Sequence, residues 1–141
     1  PSLLEEVVAL FRNSHTQISW ELDLNGDLPV VTCDRGAMKR VFINLLTNAS
    51  EVLENEPDPR VVVSARYLAD SSMVRLKVSD NGPGFESEEP SRLFEPYFSK
   101  KKGNTGLGLT IVKSIVSDHQ GQLQVHPNSP KGTMFVVDLP V

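Results

Sequence analysis

The 141-residue chain predicts an α+β fold, a two-layer α/β sandwich with one mixed sheet of about five strands covered on one face by three helices. Three observations carry that expectation. Apolar residues switch along the chain between helical and strand periodicity, in the order helix, strand, helix, strand, strand, loop, helix, strand, strand. The second and third strands, and the last two, are joined by short turn-forming segments. Composition is that of an ordinary globular domain, 39% apolar and 23% charged, in a chain long enough to bury a core. The simplest organisation is one domain over residues 1–141, without internal repeats or low-complexity tracts.

Each element follows from local pattern. Leu3, Leu4, Val7, Val8, Leu10 and Phe11 recur at helical spacing. Ile18, Trp20, Leu22 and Leu24 alternate with polar residues, as in a half-buried strand, and Asn25-Gly26-Asp27 reads as a turn. Asp34 is placed to N-cap a helix over 35–53, with Met38, Val41, Phe42, Leu45, Leu46, Ala49, Val52 and Leu53 as its apolar set. Pro57 and Pro59 stop it. Strands over 60–68 and 73–80 flank the hairpin link Ala69-Asp70-Ser71-Ser72. From Gly82 to Asn104 periodicity fails, and a polar loop of that length inside a small domain suggests a functional lid. A helix over 106–119 follows, with Gly121 expected beside its C-cap. Strands over 122–126 and 133–139 close the chain around Asn128-Ser129-Pro130-Lys131-Gly132.

Composition narrows the partners. A net charge of −4 argues against nucleic acid, although Lys100-Lys101-Lys102 form a local basic cluster. The single cysteine, Cys33, excludes an intrachain disulfide, suits a reducing compartment and reads as a small buried apolar residue. No apolar run approaches the ~20 residues that span a bilayer, and no signal peptide is visible. The chain opens inside a helix and reads as a piece of something longer.

Three groups of residues carry chemistry. Asn44, Asn48 and Glu51 share one helical face by i, i+4, i+7 spacing. They form either a solvated face or a cavity wall whose amide and carboxylate oxygens suit Mg²⁺. Asp80 falls in phase with Val74, Leu76 and Val78, so its carboxylate faces the core and requires a partner. The exocyclic amine of adenine would supply a donor. Guanine presents an acceptor there, a mismatch of about 1–3 kcal/mol. The alternative is a turn-forming aspartate in Asp80-Asn81-Gly82. Gly82 and Gly84 permit close approach of backbone to a flat ligand. Finally, Thr105-Gly106-Leu107-Gly108-Leu109 opens a helix, where amides and the helix dipole favour an anion, with Lys100 just upstream. The lysine run also suits a plain solvated segment.

Taken together, these segments resemble the ATP-binding catalytic domain of sensor histidine kinases, in the superfamily of GHKL ATPases and kinases. The N box appears as Asn44-Leu45-Leu46-Thr47-Asn48-Ala49 and the first glycine box as Asp80-Asn81-Gly82-Pro83-Gly84. The F box appears as Phe94-Glu95-Pro96-Tyr97-Phe98 and the second glycine box as Thr105-Gly106-Leu107-Gly108-Leu109. Gly132-Thr133 before the last strand also fits. The resemblance covers nearly the whole chain, and its wording around Phe94 and Gly106 is most similar to the nitrogen-regulation type of sensor kinase.

The resemblance implies roles residue by residue. Asn48 would hold Mg²⁺, with Asn44 facing the phosphates. Asp80 would accept the adenine amine, with Thr133 near the same edge. Gly82 and Gly84 would shape the adenine pocket, and residues 82–105 would form the ATP lid, anchored by Phe94 and Phe98. Lys100 and the segment Thr105, Gly106, Leu107, Gly108 and Leu109 would attend the phosphates. Two positions depart from the family pattern: Glu51 stands where many members carry a base, and Asn104 where the second glycine box often opens with glycine. Hydrolysing members of the superfamily carry a glutamate general base where this chain has Asn44. An amide cannot take a proton from water, so Asn44 favours transfer to a side chain.

None of His15, His119 and His126 sits in a phosphoacceptor motif. The resemblance therefore implies that the acceptor histidine lies on a separate dimerisation domain, in a homodimeric full-length protein, with a response-regulator receiver domain downstream. The expected location is cytoplasmic, in a bacterial sensor that is membrane-anchored or not, without membrane contact by this domain. The competing readings are a serine kinase of the anti-sigma-factor type and a degenerate docking module.

Overall fold

The computed structural model describes residues 3–24, 26, 28–29, 31, 33–84, 108–129 and 131–141. In chain order the elements are α1 (Leu3–Ser14), β1 (Ser19–Leu24), α2 (Arg35–Val52), β2 (Arg60–Leu68), β3 (Met73–Asp80), α3 (Gly108–Asp118), β4 (Gln122–Pro127) and β5 (Thr133–Pro140). The expected mixed sheet of five strands forms, in the order β1-β2-β3-β5-β4. β1 runs parallel to β2, which requires the crossover that α2 provides, and the other pairs are antiparallel.

Register explains the two layers. Val63 pairs with Val78, Val78 with Phe135 and Phe135 with Val125, so these side chains stand side by side on one face. Ala65, Leu76 and Val137 form the next row. This face shares one buried cluster with Leu4, Val7, Val8 and Phe11 of α1, the α2 stripe from Met38 to Ala49, and Val112 and Val116 of α3. Each such side chain, buried fully, contributes on the order of 1.5–3 kcal/mol. On the opposite face Arg75 sits across from Asp138 and donates to both its oxygens at 2.9 and 3.0 Å. That hydrogen bond, reinforced by the carboxylate's charge, holds the guanidinium pKa above its ordinary value.

Local chemistry sets the ends of the elements. The Asp34 side chain accepts from the Ala37 amide at 3.1 Å and caps α2. α1 is tied to the edge strand through Arg12, which donates to the Trp20 carbonyl at 3.3 and 3.1 Å, and through Phe11 and His15, whose rings pack on Trp20. One expectation is corrected. Cys33 is exposed, at the rim of a small cavity of about 140 Å³ shared with Val31, His119 and Leu139. It lies in the link before α2, outside the periodic stripe that buries its neighbours in sequence. Gly121 stands at the end of α3 as expected, and the left-handed residue there is its neighbour Gln120, with φ 57°. The amides of Gln120 and Gly121 reach back to the carbonyls of Ser117 and Val116, a Schellman ending. Gly121 itself is required for space, since a Cβ there would lie 2.5 Å from the Asp138 carbonyl oxygen.

Candidate functional site

Asp80 is the last residue of β3, and alternation along that strand turns it inward with Val74, Leu76 and Val78, leaving it 2% exposed. A buried carboxylate is tolerable only with donors around it. Two backbone amides supply them: Gly82 donates to Oδ1 at 2.9 Å and Thr133 to the same oxygen at 3.3 Å. The first bond is the turn expected of Asp-Asn-Gly, so the turn reading and the buried-acceptor reading hold together. Asn81 serves the scaffold, accepting from the Arg60 amide at 2.8 Å and donating to the Asp58 carbonyl at 2.7 Å.

The space around this carboxylate favours glycine, most strictly at Gly132. At Gly82 a Cβ would come within 3.1 Å of Asp80 Oδ1 and 3.2 Å of Val52 Cγ2. Gly132, with φ 113°, lies so close that a Cβ would stand 1.9 Å from the Asp80 carbonyl oxygen. Gly84 also has positive φ, 84°, and a Cβ there would lie 3.4 Å from the Gly132 carbonyl oxygen. Thr133 is buried where β5 begins, beside the end of β3.

The other half of the site belongs to α2. Its apolar stripe from Met38 to Ala49 fixes its rotation, and Asn44, Asn48 and Glu51 come out half-buried along the flank of that stripe. The amide of Asn44 donates to the carbonyl of Gly108, the first residue of α3, at 3.2 Å. At the far end of α2, Val52 packs against Gly82. One helix therefore links the Asp80 turn to the start of α3, with Asn48 between, over about 12 Å for the eight residues from Asn44 to Val52. Gly108 and Leu109 are half-buried in the first turn of α3. A Cβ on Gly108 would meet no atom within 4 Å. Glu51 is half-buried, one turn beyond Asn48.

The structure thus clusters Asp80, Gly82, Gly84 and Thr133 at one end of α2 and joins Asn44 to Gly108, beside Leu109, toward the other, with Asn48 between them on the same helix. Phe94, Phe98, Lys100, Thr105, Gly106 and Leu107 lie outside the described residues, as does most of the expected 82–105 lid. Sequence reasoning passes over Asn128, whose Nδ2 donates to the Asp80 carbonyl at 2.8 Å, and Lys131, which pairs with Glu56 at 2.7 Å. Both sit in a turn whose composition signals only a turn. Among the described residues, no helix is long and apolar enough to cross a membrane.

Residues 33–141 match the family of histidine kinase-, DNA gyrase B- and HSP90-like ATPases, and the chain belongs to that family. Sporulation kinase E of Bacillus subtilis (strain 168) is 36% identical over 126 residues, 89% of this chain and 17% of that protein. A mycobacterial sensor histidine kinase, MprB, superposes with a TM-score of 0.84 at 30% identity, covering 98% of this chain and 91% of that one. The histidine kinase ThkA, solved in complex with the response regulator protein TrrA, superposes with a TM-score of 0.80 at 26% identity, covering 98% and 39%. The family expected from the four boxes is borne out, as is the fold. The chain spans about a sixth of the curated relative's length.

Proposed function

We propose that this chain is the ATP-binding catalytic domain of a two-component sensor histidine kinase, transferring the ATP γ-phosphoryl group to a histidine on a separate dimerisation and phosphoacceptor domain. The observation that carries the reading is the buried Asp80 carboxylate, oriented by the Gly82 and Thr133 amides. α2 connects it to the N-terminus of α3. A carboxylate so oriented suits the adenine amine, and the glycines around it leave room for a flat base. At the other end, helix N-terminal amides suit phosphates.

An amide oxygen suits Mg²⁺, which takes oxygen ligands and keeps several waters, so one protein ligand beside the phosphates supports the reading. Asn48 would hold the ion through its amide oxygen, and bound there it would neutralise charge on the phosphate oxygens. Asn44 orients the first turn of α3 through the Gly108 carbonyl. It has no carboxylate with which to activate water, which favours transfer over hydrolysis. The acceptor imidazole nitrogen would form the new bond to the γ-phosphorus as the bond to the bridging oxygen breaks and ADP leaves. The chain's own part is positioning and charge neutralisation.

Residues 82–105 would form the lid, anchored by Phe94 and Phe98, with Lys100, Thr105, Gly106 and Leu107 attending the phosphates beside Gly108 and Leu109. The onward partner would be a response-regulator receiver domain, and the full-length protein a homodimer with this domain in the cytoplasm. The test mixes the chain with an acceptor domain of a matching kinase and γ-labelled ATP. Acid-labile phosphohistidine is expected. Acid-stable phosphoserine, or no phosphoprotein at all, would refute the reading.

A further inference from the structure

We propose that Asn128 is a positioning residue for adenine recognition, because the β4–β5 turn fixes the main chain and the carboxylate of Asp80 together. This deepens the nucleotide-binding reading above and rests on it. Asn128 is half-buried and spans the turn. Its backbone amide donates to the Gly132 carbonyl at 3.0 Å, which closes the turn on itself. Its side-chain Oδ1 accepts from the Ser129 amide at 3.0 Å, which fixes the side chain's direction. The remaining group, Nδ2, reaches across 48 positions of sequence to the Asp80 carbonyl at 2.8 Å.

The same turn delivers Gly132 against that carbonyl and, one residue later, the Thr133 amide to Asp80 Oδ1 at 3.3 Å. The tip is held from outside. Lys131 Nζ pairs with Glu56 Oε2 at 2.7 Å, joining the turn to the loop that follows α2, whose last residue packs on Gly82. Gly82 gives the carboxylate its other amide donor. Asp80 is therefore gripped from both sides by segments that are themselves linked, and Asn128 is the side chain that sets their separation. Hydrogen bonds weaken steeply with misalignment, so a small rotation of the carboxylate is felt at the base. A pocket that binds by shape alone would not feel it.

The test uses the 141-residue chain as wild type, Asn128→Ala, Asn128→Asp, Lys131→Met and Asp80→Asn, titrated calorimetrically with Mg-ADP and Mg-GDP, with melting curves taken without nucleotide. Asn128→Asp keeps the side chain's shape and removes its donor. Asn128→Ala and Asn128→Asp should each lower ADP affinity about tenfold, the scale of one oriented hydrogen bond, while GDP affinity stays unchanged. Lys131→Met, an exposed change with little risk to folding, should give a smaller loss of the same selective kind. If ADP affinity holds in all three turn variants, the proposal is overturned. A parallel fall for ADP and GDP would also overturn it, since Asn128 would then be merely structural. If the wild type binds no ADP, or Asp80→Asn binds as well as wild type, the nucleotide reading itself fails, and that outcome is separable from the others.

Discussion

Replacing Gly132 with alanine tests the geometry of the Asp80 turn most directly. The new Cβ would lie 1.9 Å from the Asp80 carbonyl oxygen, 2.8 Å from its carbon and 3.0 Å from Asn81 Cα. All three neighbours are backbone, so no side chain can swing away. The turn must retreat by about 1 Å, more than a close-packed interior absorbs. That breaks the Asn128 bond to the Asp80 carbonyl and the Thr133 bond to Oδ1, each worth about 1 kcal/mol. At φ 113° an alanine also carries strain of about 1–3 kcal/mol. The total of about 3–5 kcal/mol corresponds to a fall in Tm of roughly 10–20 °C for a chain of this size. Thermal unfolding can be followed through Trp20, the single tryptophan, which is 7% exposed. Gly26→Ala is the control: φ is 68° there and no atom lies within 4 Å, so strain alone applies, about 1–2 kcal/mol. A Gly132→Ala melting point within a few degrees of wild type, or equal to that of Gly26→Ala, would refute the argument.

Three further outcomes are expected. Asp80→Asn should weaken ADP binding by about ten- to a hundredfold and narrow the preference for ADP over GDP, both read by titration, since a charge-assisted bond is lost. Asn48→Asp should change the Mg²⁺ dependence of ADP affinity more than the preference between bases; equal effects on both would contradict the proposed role of Asn48 at the phosphates. Arg75→Met should destabilise by about 1–3 kcal/mol in urea unfolding, less than for a fully buried pair because the arginine side chain is 37% exposed. Pairing that change with Asp138→Leu should recover most of the loss. Because the arginine pKa is raised in the folded state, deprotonation of Arg75 removes the pair's contribution only as pH rises above the ordinary arginine value.

The sequence made the inward direction of Asp80 legible, because strand alternation propagates from Val74 to the strand end. The α2 cap and stripe were legible for the same reason: both are local patterns. What pairs with what over long separations was not. Nothing near Asn44 signals that its amide meets Gly108, 64 positions on, and nothing in Asn128-Ser129 signals a reach back to Asp80. Cys33 read as buried on the average behaviour of cysteine, which the link before α2 overrides. The left-handed turn at Gln120 was not legible either, nor the approach of Gly121 to the Asp138 carbonyl, since both depend on how α3 meets β5.

The strand order has a consequence for how the molecule opens. β3 and β5 are interior strands, each with neighbours on both sides, whereas β1 and β4 form the borders. Asp80 and Thr133 stand at the adjoining ends of that interior pair. Fluctuations that peel away α1 with β1 leave those two positions in place, whereas detaching β4 pulls on Asn128 and the turn that holds Asp80. Amide deuteration should therefore reach Trp20 and the β1 ladder well before it reaches the middle of β3, and the Asp80 end should outlast the opening of that border.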